Sequence, residues 1–196
     1  MEENLIYEWD KMNDYQKKIS MLAYIIERAL NCYNHLNDFL SFMDTNLDEI
    51  NYAPSFLVEC FDSMRYKLIM LSAKVFDESK DAIGIMKIFN MGEQMSSYPS
   101  IKTFKRNVEI EYVKYEEEIK SLRILRDKEY AHTDKKFLLN PIEIETTSLL
   151  DNLSGMLNWA WKALNRLMHC TGATLVDPIP THKDFGKMIS LIKNNK

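Results

Sequence analysis

Cysteine is scarce in this chain. Cys32, Cys60 and Cys170 are odd in number, far apart and without ligand spacing. They predict reduced, buried thiols in a cytoplasmic protein rather than a disulfide framework. Glycine and proline number five each, too few for a fold of many short strands and turns. Five scattered glycines also cannot build a Gly-rich phosphate loop. No apolar run approaches the roughly 18 residues of a membrane span, so no membrane partner is expected. The N-terminus, Met1-Glu2-Glu3-Asn4, is acidic and unlike a secretion signal. His35, His169 and His182 are isolated, and no His-x3-His, Cys-x2-Cys or paired-carboxylate motif is present. The expectation is therefore no metal and no cofactor. Ser154-Gly155 lacks the context of a nucleophile elbow.

What the chain has is helical periodicity. At 196 residues, with 46% hydrophobic and 28% charged residues, it reads as one globular domain over 1–196. The core is expected over about 14–172, with a tail at 173–196. Tyr15, Ile19, Leu22, Ile26, Ala29, Tyr33, Leu36, Leu40 and Met43 alternate steps of four and three, the seam of a bundle helix. Pro54 suits the first turn of a second helix running to about Asp77, with Leu57, Phe61, Met64, Leu68, Leu71 and Val75 inward. A short helix over 83–91 is expected to break near Gly92. A third long helix starts after Tyr98-Pro99 with Ser100 as its cap, and Val108, Tyr112, Tyr115, Ile119 and Leu122 form its stripe. Thr146 or Thr147 caps a fourth, carrying Leu150, Leu153, Leu157, Ala160, Leu164 and Leu167, and Gly172 ends it. Residues 184–192 suit a last short helix. The fold class that follows is all-α: an up-and-down bundle of four long helices with short accessory helices. Of Trp159 and Trp161, two apart on a helix, one is expected in the core and the other at an interface.

The net charge of −4 does not advertise nucleic acid, but its distribution is uneven. Residues 109–118 hold five Glu against one Lys, whereas residues 120–136 hold six Lys or Arg against three acids. Within the basic stretch lies Arg126-Asp127-Lys128-Glu129-Tyr130-Ala131-His132-Thr133-Asp134-Lys135-Lys136. Continuing the third stripe by a step of four lands on Arg126, and a cation there needs partners or a solvated cleft. Two readings are open. Arg126 pairs with Glu129 on the helix surface and His132 is a terminal residue favoured by the helix dipole. Alternatively, the two form a reactive pair. Six residues along a regular helix turn about 600°, so Arg126 and His132 point about 120° apart unless the helix ends near Tyr130.

Leu125-Arg126-Asp127-Lys128-Glu129-Tyr130-Ala131-His132-Thr133-Asp134-Lys135 resembles the Arg-x4–6-His signature of the HEPN superfamily, and within it the branch related to the abortive-infection protein AbiU. Phe61-Asp62-Ser63-Met64-Arg65 through Leu71-Ser72-Ala73-Lys74-Val75-Phe76-Asp77 resembles that branch's second helix, with its hydrophobic-Phe-Asp ending. The resemblance covers about Leu22 to His169. It implies a helical homodimer with paired motifs and metal-independent endoribonuclease activity, acting in phage defence or as a toxin. The chemistry fits the residue types. Histidine exchanges protons near neutral pH, and arginine matches phosphate with a fork of donors. One chain carries one such set, and a symmetric dimer supplies an acid and a base. On this reading Arg126 and His132 are catalytic, Asp127, Thr133 and Asp134 support them, and Lys128, Lys135 and Lys136 attract the RNA backbone. Apolar Phe39, Phe42 and Trp161, off the main stripes, are expected to cover the dimer surface. RNA, a second copy, and an antitoxin or regulatory protein are the expected partners. The alternative is a non-catalytic HEPN module that binds RNA, nucleotide or a protein partner. Some HEPN toxins carry a modified Tyr two residues after the His; Asp134 stands there in this chain.

Overall fold

The computed structural model describes residues 10–45, 54–95, 97–127 and 146–171. Their helices are α1 (Asp14–Thr45), α2 (Pro54–Val75), α3 (Ile85–Glu93), α4 (Ser100–Val113), α5 (Glu116–Ile124) and α6 (Thr146–Thr171). The fold is all-α, with no strand among the described residues. The start of α1 is fixed by a reciprocal cap: the Gln16 amide donates to Asn13 Oδ1 at 2.9 Å and the Asn13 amide to Gln16 Oε1 at 3.0 Å. Two amide donors at the helix start are satisfied at once. On the inward face of α1, Tyr15, Ile19, Leu22, Ile26, Ala29 and Leu36 are buried as the 4-3 spacing requires, while Tyr33 and Met43 are half-buried and Leu40, expected inward, is 37% exposed. Leu153, Leu157, Ala160, Leu164 and Leu167 do the same for α6. On α2 burial is concentrated late, at Leu68, Ile69, Ala73 and Val75, while Phe56 and Val58 near its start are exposed. These faces join in one apolar cluster. Each fully buried Leu or Ile contributes roughly 1.5–3 kcal/mol. The helix α1 packs on α2, α3 and α6; α6 also meets α2, α3, α4 and α5, and α5 lies on α2.

Three expectations are corrected. The third long helix is two helices, α4 and α5. At the join the Lys114 amide donates to the Glu111 carbonyl at 3.2 Å and the Tyr115 amide to the Tyr112 carbonyl at 3.0 Å, a tightened three-residue turn. Glu116, Glu117 and Glu118 follow in the first turn of α5, where carboxylates are favoured by the helix dipole. The apolar stripe survives because its 112-to-115 step is three residues in either geometry. Ser100 is not the cap of α4: Pro99 holds that position and no side chain bonds the end. Phe39 and Trp161 are 2% and 8% exposed, so both belong to the protomer core and neither covers a second surface. As expected, α3 ends next to Gly92, at Glu93, and Gly92 itself is buried. Its lack of a side chain makes room for Tyr15, whose hydroxyl oxygen would sit 2.1 Å from an added Cβ and which donates to the Ile88 carbonyl at 3.0 Å. The expected cap side chains of Thr146 and Thr147, Gly172, the tail and its short helix lie outside the described residues.

Candidate functional site

The site is built where α2 stops. Phe76 is buried just past the helix, and its ring stacks on Trp159 of α6 at 6.4 Å and 14°. Tyr112 and Tyr115 close on the same tryptophan at 6.0 and 5.8 Å. This aromatic anchor fixes the next residue, Asp77. Its Oδ1 accepts the Ser79 amide at 2.9 Å, an Asx-type turn that directs the chain away from the helix. The loop then folds back on itself. A Cβ on Gly84 would lie 1.9 Å from the Asp77 carbonyl oxygen, so only glycine lets the two backbones approach so closely. Lys87 Nζ clamps the loop by donating to the Ser79 carbonyl at 2.8 Å and to the Lys80 carbonyl.

The end of α5 meets this loop. Arg123 Nη2 donates to the Phe76 carbonyl at 2.8 Å and lies 3.3 Å from Glu78 Oε1. The Tyr112 hydroxyl donates to the same Glu78 oxygen at 2.5 Å. Burial, then Glu78, pushes the Tyr112 pKa up, so it remains a donor at any physiological pH. Past Ile124 the helix widens into a π-type turn over residues 125–127. Leu125, buried, takes the core position that the sequence stripe gave to Arg126. Arg126 is turned instead onto Asp77: Nη1 donates to Asp77 Oδ2 at 2.8 Å, and Nε donates to Asp127 Oδ1 at 2.6 Å. The Arg126 and Asp77 side chains are 22% and 21% exposed, so the pair is half-buried but open to one side. Burial pushes the Asp77 carboxyl up, but Ser79 and then Arg126 outweigh it and hold its pKa below the usual aspartate value. The bond to Asp127, with both carboxylate charges set against partial desolvation, pushes the Arg126 pKa up and keeps the guanidinium charged.

Of the site residues read from sequence, Arg126 and Asp127 are placed, and they are bonded to each other. Lys128, His132, Thr133, Asp134, Lys135 and Lys136 lie outside the described residues, as does Glu129. Asp77 was not among the sequence candidates. Its signal was present, since it closes the hydrophobic-Phe-Asp ending of the second helix, but its pairing spans 49 residues of sequence and needs the fold. Among the described residues no three His, Cys, Asp or Glu come together as a metal-ligand set.

The two stretches that carry the family resemblance thus meet in space, through Asp77 and Arg126. A family model described as AbiU2, of the HEPN type, matches residues 12–172. The chain belongs to the AbiU2 family. The match runs from the cap of α1 to the end of α6 and takes in both Asp77 and Arg126. No curated protein and no solved structure matches the chain. Within this AbiU2 chain the Arg126–Asp77 pair joins the end of α5 to the end of α2, with α6 behind it through Trp159.

Proposed function

We propose that this AbiU2 protein is a metal-independent endoribonuclease acting as a homodimer, an effector of phage defence or of a toxin-antitoxin pair. The observation that carries the reading is the placement of Arg126. It opens the Arg-to-His motif on a π-type turn, charged, half-buried and anchored by Asp77. A guanidinium held at Nη1 by Asp77 and at Nε by Asp127 keeps its Nη2 N–H groups in a fixed direction, which suits a phosphate. In the reaction the RNA 2′-oxygen attacks the adjacent phosphorus and forms the O2′–P bond. The P–O5′ bond breaks. His132 of one protomer accepts the 2′-hydroxyl proton and His132 of the other protonates the leaving O5′. Arg126 stabilises the charge that builds on the phosphate oxygens. Asp127, Thr133 and Asp134 orient these groups, and Lys128, Lys135 and Lys136 hold the strand by its phosphates.

Product ends test this chemistry. RNA fragments carrying a 2′,3′-cyclic phosphate and a 5′-hydroxyl, with DNA left intact, are the expected result. Fragments with a 5′-phosphate, or equal cleavage of DNA, contradict it. RNA binding without cleavage, weakened by Arg126→Ala and by salt, supports a non-catalytic HEPN module instead.

A further inference from the structure

The surface carries a second feature that the Arg126 site does not use. Between α4 and α6 runs a groove of about 390 Å³, lined by Phe104, Asn107, Ile110, Trp159, Lys162 and Arg166. That volume is within the range of small-ligand sites. Two aromatic side chains, both half-buried, form its walls, and Ile110 stands on its rim 58% exposed. The Arg166 guanidinium lies over the Phe104 ring, 5.5 Å from its centre. Lys162 and Arg166 are exposed one turn apart on α6, and Lys102 and Arg106 are exposed on α4. The one acid in the lining, Glu111, is neutralised by Lys114 at 2.6 Å. The groove therefore pairs flat apolar surfaces with the positive charge of Lys162 and Arg166. Two other grooves on the protein differ. One is lined by Glu78, Glu116 and Glu117 beside Lys120 and Arg123, the other by Glu78 and Glu109 beside Lys80 and Lys87. Neither lining has the basic surplus that a polyanion needs.

We propose that the α4–α6 groove binds single-stranded RNA, with a base seated against Trp159 and the Phe104–Arg166 pair and the flanking phosphates on Lys162 and Arg166. The assignment rests on the reading of this chain as a protein that acts on RNA. Stacking on aromatic and guanidinium planes needs an unpaired base, which a duplex does not offer. Trp159 also stacks on Phe76, the residue before Asp77, so the groove is one aromatic layer from the Arg126 pair. A strand gripped there would reach Arg126 already held.

The test uses the full chain and a fluorescein-labelled hexauridylate at low salt, followed by anisotropy and by tryptophan emission. Wild type is expected to bind and to quench, and Trp159→Phe to lose the quenching. The double variant Lys162→Ala/Arg166→Ala, at two exposed positions, should bind at least about tenfold more weakly, with a log-affinity against log-salt slope lower by about 1.4, roughly 0.7 per phosphate contact. Unchanged binding by the double variant overturns the proposal, as does binding that leaves tryptophan emission unaltered. Binding and quenching by a wild-type protein that cleaves no RNA leave the groove standing and remove the ribonuclease reading. Cleavage with a double variant that binds normally removes the groove alone.

Discussion

Asp77 is the residue on which the site turns. Its carboxylate faces Arg126 at 2.8 Å and the Ser79 amide at 2.9 Å, and its pKa lies below the usual value. A folded-state pKa lower than the unfolded value of about 3.9 adds stability that is present above that pH and lost as pH falls through the folded value. For a half-buried ion pair with a backbone hydrogen bond the contribution is about 1 kcal/mol. Urea unfolding of Asp77→Asn beside wild type should therefore show a constant deficit between about pH 5 and pH 8 that closes below about pH 4. A deficit independent of pH down to the acid limit would mean that the charge of Asp77 is not what matters. Arg126→Ala should cost a similar amount, because it strips the same pair. Sequence periodicity could not supply any of this. From Leu122 a step of four reaches Arg126 and a step of three reaches Leu125; the π-type turn puts Leu125 in the core and frees Arg126 to meet Asp77.

At the scale of elements, long regular stretches were legible and joins were not. The 4-3 spacing placed α1, α2 and α6 to within a few residues, because burying one continuous face constrains every third or fourth position. The join at Lys114–Tyr115 left no mark, because a three-residue turn keeps the inward stripe intact. The cap of α4 failed for a similar reason: Ser100 is a good cap by residue type, but the chain starts its helix one residue earlier, after Pro99. The loop from Asp77 to Gly84 is the element that holds the site, and it depends on one close approach. Gly84 has φ −79° and ψ 161°, a conformation alanine adopts freely, so Gly84→Ala would suffer only from the Cβ placed 1.9 Å from the Asp77 carbonyl oxygen. Overpacking against backbone costs about 1–3 kcal/mol. Gly84→Ala should lower the thermal midpoint and weaken RNA binding together, since relief requires Asp77 to move. Gly155→Ala is the control: its added Cβ would meet nothing nearer than 3.9 Å, and exposed helical glycine replaced by alanine gains about 0.5–1 kcal/mol. A tolerated Gly84→Ala would mean that the loop does not clamp the site.

For the whole molecule, one chain provides one Arg126 and one His132, while the proposed chemistry needs an acid and a base. A twofold homodimer answers that need. Phe39 and Trp161 do not contribute to it, since both are spent in the protomer core. Light scattering at micromolar concentration should give twice the 23.1 kDa chain mass. A monomer would remove the composite site, whatever the family. The proposed RNA cleavage is measured most directly on Arg126 and His132. Cellular RNA is incubated in EDTA with wild type, His132→Ala and Arg126→Ala, each checked for folding by circular dichroism. The account predicts cleavage by wild type with a rate that falls at both low and high pH, and none by either folded variant. Equal cleavage by a folded His132→Ala protein, or cleavage by wild type only when Mg²⁺ is restored, would contradict it.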